Sequence, residues 1–160
     1  MIILRRLTRD DLPRLRRHWT ENWGDEFVVA HGVIYHPETL DGFIAVDGEE
    51  WTGEVTYTVS EDECEIVSLD SLREGQGLGT RLIDAVMKEA RKQNCRRVFL
   101  ITTNDNLNAL GFYQKRGFEL VRINRGAVNE SRKIKPSIPL LGMNNIPLRD
   151  EIELEIMLKV

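Results

Sequence analysis

The stretch that most restricts what this chain can fold into is a glycine-rich octapeptide, Arg73 to Thr80, with glycine at every second position from Gly75 to Gly79. An apolar, strand-like run, Glu65 to Leu69, precedes it, and apolar residues then recur at the spacing of a helix face. The octapeptide is therefore predicted to be a strand-to-helix turn. Glycines there leave the N–H groups of the first helical turn open to an anion, which the helix dipole also attracts. We predict a phosphate site, with an ordinary glycine-rich turn as the alternative.

Two familiar phosphate loops do not fit this octapeptide. The loop of nucleotide hydrolases needs Lys followed by Ser or Thr after its last glycine, and here Thr80 and Arg81 follow. The dinucleotide fingerprint needs a third glycine at position 80 and an acidic residue at the end of the strand Val98 to Thr102, and the sequence has neither. Both nucleotide classes are therefore excluded.

The octapeptide instead resembles the first signature of the GNAT N-acetyltransferases: Arg or Gln, two residues, Gly, one residue, then Gly or Ala. Gly77 and Gly79 hold the glycine positions, whereas Glu74 departs from the family's Arg or Gln. Glu74 therefore puts in doubt what a side chain at this position adds to phosphate binding, whereas the backbone amides are unaffected. A second family signature follows at its spacing in Asn106, Ala109, Tyr113, Gly117 and Phe118. The motifs cover Ile44 to Phe118, and the remainder resembles the family through its layout.

The resemblance implies that acetyl-CoA is the cosubstrate and that the loop amides hold its pyrophosphate. The residues implied at the cofactor are Ser68, Leu69, Arg73, Glu74, Gly75, Gln76, Gly77, Leu78, Gly79, Thr80 and Asn106. Ser68 and Leu69 would present backbone groups to the pantetheine arm between two splayed strands. Asn106 would contact that arm or order a helix start. Tyr113 matches the family position of the acid that protonates the departing thiolate, and on spacing alone it is a core aromatic.

An amine must lose a proton before it attacks a thioester, because an ammonium group has no lone pair to donate. Glu65 and Glu54 are the candidate bases, although an exposed glutamate is the common case. In a regular strand Glu65 shares a face with Val67 and Leu69, while Cys64 faces the other way, which argues against an acetyl-cysteine route. No metal is predicted, because the loop histidines at 31 and 36 have no third ligand in view.

The apolar patterns predict an α/β (α+β) fold. Its central sheet is mixed and mostly antiparallel, with about six to seven strands, a parallel splayed pair and flanking helices. Gly42 to Val46 and Trp51 to Val59 form a predicted hairpin, and Val98 to Ile101 is apolar on both faces, as in a buried parallel strand. Asn104 or Asp105 is expected to cap a second helix, in which Gly111 indicates close packing or drift.

A length of 160 residues predicts a single N-acetyltransferase domain. We divide it into an acceptor-side part (1–43), an acetyl-CoA-binding core (44–123), a long loop or flap (124–149) and a C-terminal strand (150–160). The segment 124–149 is irregular in sequence, so we expect a flap over the acceptor mouth or a solvated connector. As a flap, its polar residues Arg125, Asn129, Arg132 and Lys135 would favour an acceptor with a carboxylate or phosphate beside its amine.

Composition bounds the partners. A net charge of -4 argues against a nucleic-acid-binding surface, and the sequence contains no apolar run of the ~18 residues that a membrane helix needs. We expect a cytoplasmic location without a signal peptide, and buried thiols at Cys64 and Cys95. The predicted function is acetyl transfer to a primary amine of a small molecule or peptide by direct attack on the thioester. A non-catalytic acyl-CoA-binding or regulatory module is the alternative, and assembly as a monomer or a homodimer stays open.

Overall fold

A computed structural model describes residues 1–158. Its strands are β1 (Ile2–Arg6), β2 (Val28–Ala30), β3 (Val33–Tyr35), β4 (Asp41–Asp47), β5 (Glu50–Ser60), β6 (Glu63–Ser71), β7 (Arg97–Thr103), β8 (Glu119–Asn124) and β9 (Glu151–Met157). Its α-helices are α1 (Leu12–Trp23), α2 (Leu78–Lys92), α3 (Leu107–Lys115) and α4 (Ala127–Ile134). Short 3-10 turns cover Arg9–Asp11, Pro37–Thr39 and Met143–Asn145.

Within residues 1–158, seven strands form one sheet in the order β1-β4-β5-β6-β7-β9-β8, and β2 and β3 form a separate antiparallel hairpin. The large sheet is mostly antiparallel with one parallel pair, and helices flank it. This architecture confirms the predicted mixed α/β fold. The described residues divide into two compact units, and the four functional parts that we assigned within a single domain stay a prediction.

The first unit comprises Met1–Leu12, Glu38–Val98 and the described chain from Met157. The predicted hairpin is present as β4 and β5, and helix α2 packs on β5 at Gly53. A Cβ atom at Gly53 would lie 2.8 Å from the carbonyl oxygen of Asp70 and 3.2 Å from both Leu78 Cδ2 and Leu82 Cδ1. Only a residue without a side chain fits between these neighbours, so Gly53 sets how closely the helix approaches the sheet.

Strand β6 contains a β-bulge at Val67. Its register with β5 skips that residue and runs Glu65↔Thr58, Ile66↔Tyr57, Ser68↔Thr56, Leu69↔Val55 and Asp70↔Glu54. One extra residue reverses the faces of all that follow it. Glu65 therefore shares a face with Ser68 and not with Leu69. Our assignment of Glu65 to the face of Leu69 is wrong, because it assumed a regular strand.

The second unit comprises Pro13–Pro37 and Phe99–Ile156. Its strand β9 corresponds to the predicted C-terminal strand, in which glutamates alternate with apolar residues, but these glutamates are not a solvent-exposed side. Glu151 is 3% exposed and Glu153 is 8% exposed. The reason is the place of β9 between β7 and β8, since a strand with a neighbour on both sides is covered more fully than an edge strand. Lys159 and Val160, which the prediction also placed in this strand, lie outside the described residues.

The segment 124–149 contains helix α4, which our prediction of an irregular loop missed. Gly126 precedes the helix in a left-handed conformation (φ 75°) and donates its N–H to Asp150 Oδ1 at 2.8 Å. The Arg132 side chain then ties the segment together, because its guanidinium donates to three backbone carbonyls, those of Ile138, Pro139 and Leu148. The segment is therefore a folded part of the second unit.

Candidate active site

The glycine loop leads into α2 as an open helix N-terminus. Gly75 and Gly77 have φ angles of 75° and 68°, the left-handed region that favours glycine, and Gly77 is the N-cap residue. Within residues 1–158, no side chain caps this helix, and apart from the glycine itself and its two chain neighbours no residue has an atom within 4 Å of where a Cβ would stand at either glycine. The first amides of a helix have no partner inside the helix. The loop is thus a cradle that fits a phosphate group.

Backbone and ionic contacts within the first unit hold this loop in place. Leu72 donates its N–H to the carbonyl of Thr52 at 2.8 Å. The Arg73 guanidinium donates to Asp47 Oδ2 at 2.7 Å and to Glu50 Oε2 at 2.6 Å. Arg73, a predicted cofactor ligand, therefore also joins the loop to the turn between β4 and β5. This pairing lowers the pKa of Asp47 below its ordinary value, with the chain's N-terminal ammonium adding to the effect.

The other predicted loop ligands differ in exposure. Glu74 and Gln76 are exposed, as are both glycines at 75 and 77. Leu78 and Gly79 are buried in the first turn of α2, and the half-buried Thr80 follows them. The exposed stretch from Glu74 to Gly77 is therefore the part of the loop most open to a ligand, and the roles assigned to Leu78 and Gly79 stay predictions.

The second signature begins with a helix cap in the second unit. Asn106 Oδ1 accepts a hydrogen bond from the N–H of Ala109 at 3.1 Å, so Asn106 is the N-cap of α3. Our expectation that Asn104 or Asp105 caps this helix is wrong. Asn104 Oδ1 instead accepts from the N–H groups of residues 149 and 150, and Asp105 Oδ2 accepts from the N–H of Met143. Both side chains anchor the segment before β9.

The signature ends in a left-handed helix stop that fixes Tyr113. Gly117 has φ 96°, and the N–H of Phe118 donates to the carbonyl of Tyr113 at 3.1 Å. The Gly117 N–H donates to the backbone carbonyl of Gln114, which completes a Schellman motif. Tyr113 is 7% exposed, with its ring centroid 5.4 Å from that of Phe118 and 5.2 Å from that of Phe112. The signature thus specifies the orientation of one tyrosine, while its role as an acid stays a prediction.

The outer face of α3 carries a groove of about 420 Å³ that sequence reasoning missed. Its lining residues are Leu107, Asn108, Gly111, Phe112, Lys115 and Arg116. Within residues 1–158, no atom lies within 4 Å of a Cβ built at Gly111. Close packing therefore does not explain Gly111, and of our two interpretations of this glycine only drift is left.

The two candidate bases lie on one face of β5 and β6, and both are buried. Glu54 is 1% exposed and Glu65 is 5% exposed. Ser68 Oγ donates to Glu54 Oε2 at 2.9 Å, and the Thr56 hydroxyl lies 2.5 Å from Ser68 Oγ. The structure therefore joins Glu54 to Ser68, a contact that sequence reasoning missed. The alternating polar residues of β5 are the only sign of this contact in the sequence. Their pairing with Ser68 also depends on the bulge in β6, which the sequence does not reveal.

The two cysteines are buried free thiols, as predicted. Burial raises the pKa of Cys64 to about 12, with the nearby Cys95 adding to the shift. A thiol with this pKa is protonated at neutral pH and is a poor nucleophile. The geometry therefore supports the argument against an acetyl-cysteine route.

Two of the three cations assigned to the flap, Arg132 and Lys135, are held internally. Arg132 is committed to backbone carbonyls, and its Nη1 also donates to Asn129 Oδ1 at 2.6 Å. Lys135 is 5% exposed and donates through Nζ to the carbonyl of Phe27 at 3.0 Å, and burial lowers its pKa. Arg125 is exposed, so the inference of an acidic acceptor stays a prediction that no longer has the support of Arg132 and Lys135.

Two absences within residues 1–158 concern metal ions and membranes. The described residues contain no cluster of three or more His, Cys, Asp or Glu side chains that could hold a metal ion. Across the same residues, every helix is too short or too polar to span a bilayer. His31 lies in the turn between β2 and β3, and its Nε2 is within hydrogen-bond distance, 3.1 Å, of the Tyr35 hydroxyl.

Comparison with known proteins adds a family model and several relatives. The model described as "Acetyltransferase (GNAT) family" matches residues 4–118. "Uncharacterized protein YxbD" of Bacillus subtilis (strain 168) is 46% identical over 133 residues, covering 82% of this chain and 84% of that protein.

Solved structures share the fold. The "IAA acetyltransferase from Bacillus cereus ATCC 14579" has a TM-score of 0.72 at 18% identity and covers 99% of this chain and 100% of its own. A GNAT family acetyltransferase from Elizabethkingia anophelis with acetyl-CoA bound has a TM-score of 0.71 at 20% identity, covering 98% of each chain.

Proposed function

Because the chain belongs to the GNAT family of acetyltransferases, we propose that it transfers the acetyl group of acetyl-CoA to a primary amine of a small molecule or peptide. The observation that carries this proposal is the N-terminus of α2. Its left-handed glycines leave space beside the first helical amides, and a pyrophosphate needs that combination of space, donors and positive dipole. Acetyl-CoA, when bound, supplies an activated carbonyl on a thiol leaving group.

The chain's own residues would then act in three ways. The loop from Arg73 to Thr80 binds the pyrophosphate through backbone N–H groups. A buried carboxylate on β5 or β6 takes the proton of the attacking amine, so that its nitrogen has a lone pair. Tyr113 donates its phenolic proton to the departing thiolate, and the rings of Phe112 and Phe118 hold it in one orientation.

Direct attack of the amine on the thioester is the favoured route for the transfer. The alternative, a covalent acetyl-enzyme, requires a reactive nucleophile, and both cysteines are buried thiols whose pKa burial raises. The acidic net charge and the buried, internally bonded Lys135 also weaken the case for an anionic acceptor. A small amine or a peptide amine therefore suits the chain best.

The experiment that tests this function measures thiol release from acetyl-CoA in the presence of a panel of amines, amino acids and polyamines. We expect amine-dependent thiol release, together with a product heavier than its acceptor by one acetyl group in mass spectrometry. Binding of acetyl-CoA without turnover for any amine would support the alternative, a non-catalytic acyl-CoA-binding module. The absence of acetyl-CoA binding in calorimetry would refute both.

A further inference from the structure

The buried hydroxyls of β5 and β6 form an ordered hydrogen-bond chain that ends on Glu54. A serine hydroxyl has one proton and two lone pairs. Ser68 uses its proton toward Glu54 Oε2, so in the contact with Thr56 it must be the acceptor. The hydrogen bonds therefore all point the same way: Thr56 donates to Ser68, and Ser68 donates to Glu54. One lone pair of Ser68 Oγ is left to accept a further proton donor.

This arrangement has the form of a proton relay. Ser68 is 6% exposed, Glu54 is 1% exposed and Thr56 is fully buried, so bulk water does not compete for their hydrogen bonds. A donor that approaches the remaining lone pair of Ser68 can pass a proton to its oxygen while the serine proton moves to Glu54. The distance of 2.9 Å between Ser68 Oγ and Glu54 Oε2 is short enough for that transfer without a movement of the backbone.

We propose that Ser68 Oγ takes the proton of the attacking amine and hands its own proton to Glu54. This inference rests on the proposed function. The proton of the acceptor ammonium goes to Ser68 Oγ while the serine proton goes to Glu54 Oε2, and the neutral amine nitrogen then forms its bond to the thioester carbon. The C–S bond breaks, the thiolate leaves with the proton of Tyr113, and the second N–H proton of the attacking nitrogen returns to the Tyr113 phenolate. The amine proton is thus conserved on Glu54, and Ser68 ends the step as a neutral hydroxyl.

The structure favours Glu54 over Glu65 as the end of this relay. Glu54 Oε2 accepts the hydrogen bond of Ser68 Oγ directly, at 2.9 Å, and Glu54 lies opposite Asp70 in the β5–β6 register, beside Ser68 on the same face. Glu65 lies opposite Thr58, one step farther along the same face, roughly 7 Å from the level of Thr56. Ile44 faces Glu54 from β4 and adds no charge.

A second observation on β5 indicates that its buried polar residues serve a function. Thr52 is fully buried, and within residues 1–158 its Oγ1 has no hydrogen-bond partner. A buried hydroxyl without a hydrogen-bond partner lowers stability, so stability alone does not explain the polar residues of β5. The bulge at Val67 is also typical of strands beside active sites, where it redirects side chains.

The test compares Ser68→Ala and Glu54→Gln with Thr58→Val, a matched control that removes a hydroxyl from the same strand face. We expect each relay variant to lower kcat by about 10²-fold, the usual size of a general-base contribution. The double variant should be no slower than the single ones, since both changes break one chain. Ser68→Thr and Glu54→Asp keep the chemical groups and should recover part of the rate. Thr58→Val should match the parent.

The pH profile of kcat/KM separates a relay from a structural role. Without the relay, the rate should keep rising with pH where the parent has reached its plateau, because only amine that is already deprotonated can react. Glu65 and Asp70 are the ionisable neighbours on this face of β6, so Glu65→Gln belongs in the same series. Additive losses in the double variant, an unchanged profile, or a loss confined to Glu65→Gln would overturn the proposal. A parent enzyme that acetylates no amine would refute the proposed function instead.

Discussion

Substitution of Gly77 by valine tests the central role of the glycine loop. Gly77 has φ 68°, and a Cβ at this position meets no other described atom within 4 Å. The valine side chain would therefore occupy the space beside the amides without disturbing the core. Gly126→Val is a matched control, because Gly126 is also a left-handed N-cap glycine with open space around it, at the start of α4.

The expected losses follow from this geometry. A side chain in the left-handed region costs about 1–2 kcal/mol, and this strain should lower the free energy of unfolding of both variants alike. Hydrogen bonds from amides to a charged phosphate are worth about 1.5–3 kcal/mol each. Loss of two such bonds in Gly77→Val is about 3–6 kcal/mol, which corresponds to roughly a 10²- to 10⁴-fold weaker affinity for acetyl-CoA.

Isothermal titration calorimetry with acetyl-CoA measures this difference, and urea unfolding reports the shared strain. Gly126→Val should bind acetyl-CoA with the parent's affinity. If Gly77→Val binds as tightly as Gly126→Val while both remain folded, the loop at Gly77 does not hold the cofactor. The argument from the open helix N-terminus would then be refuted.

Three further predictions concern the proposed acid Tyr113, a helix and an ion pair. Tyr113→Phe should lower turnover by about 10²-fold with little change in acetyl-CoA affinity, and steady-state kinetics beside calorimetry would show a parent-like rate if Tyr113 is only a core residue. Gly111→Ala should raise the free energy of unfolding by about 1 kcal/mol, because alanine favours a helix and its Cβ meets no described atom; urea unfolding that shows a loss would contradict this. Hydrogen bonds from Arg5 hold the pKa of Asp11 below its ordinary value of 3.8. The stability from this pair is therefore present above pH 3.8 and is lost as the pH falls through the lowered pKa, so Asp11→Asn should destabilise the protein at pH 7 and converge with the parent in acid.

Local patterns were sufficient to predict the glycine loop and the β4–β5 hairpin. Each depends on residues that are close in sequence, such as an apolar period followed by a glycine with positive φ. The bulge at Val67 could not be predicted, because an extra residue in a strand leaves the composition and most of the alternation unchanged. Its effect was large, since it determines that Ser68 faces Glu54.

Long-range hydrogen bonds explain the remaining differences. Asn104 and Asp105 looked like helix caps because they lie just before α3. Their true partners, around residues 143 to 150, are some forty positions away and could not be recognised from the sequence. Helix α4 was missed because a short helix among prolines and glycines has little periodicity to detect. The burial of Glu151 depends on strand order, which no local pattern encodes.

The place of β9 in the sheet also bears on how the second unit folds. A growing chain that has been synthesised as far as Asn124 contains β7 and β8 but lacks the strand that belongs between them. Their facing edges must stay apart until residues 151–157 arrive, and unpaired strand edges are prone to wrong pairing and aggregation. Contacts between strands distant in sequence also form slowly, because loop closure comes before any gain from pairing. Completion of this half of the sheet is therefore a late event in folding.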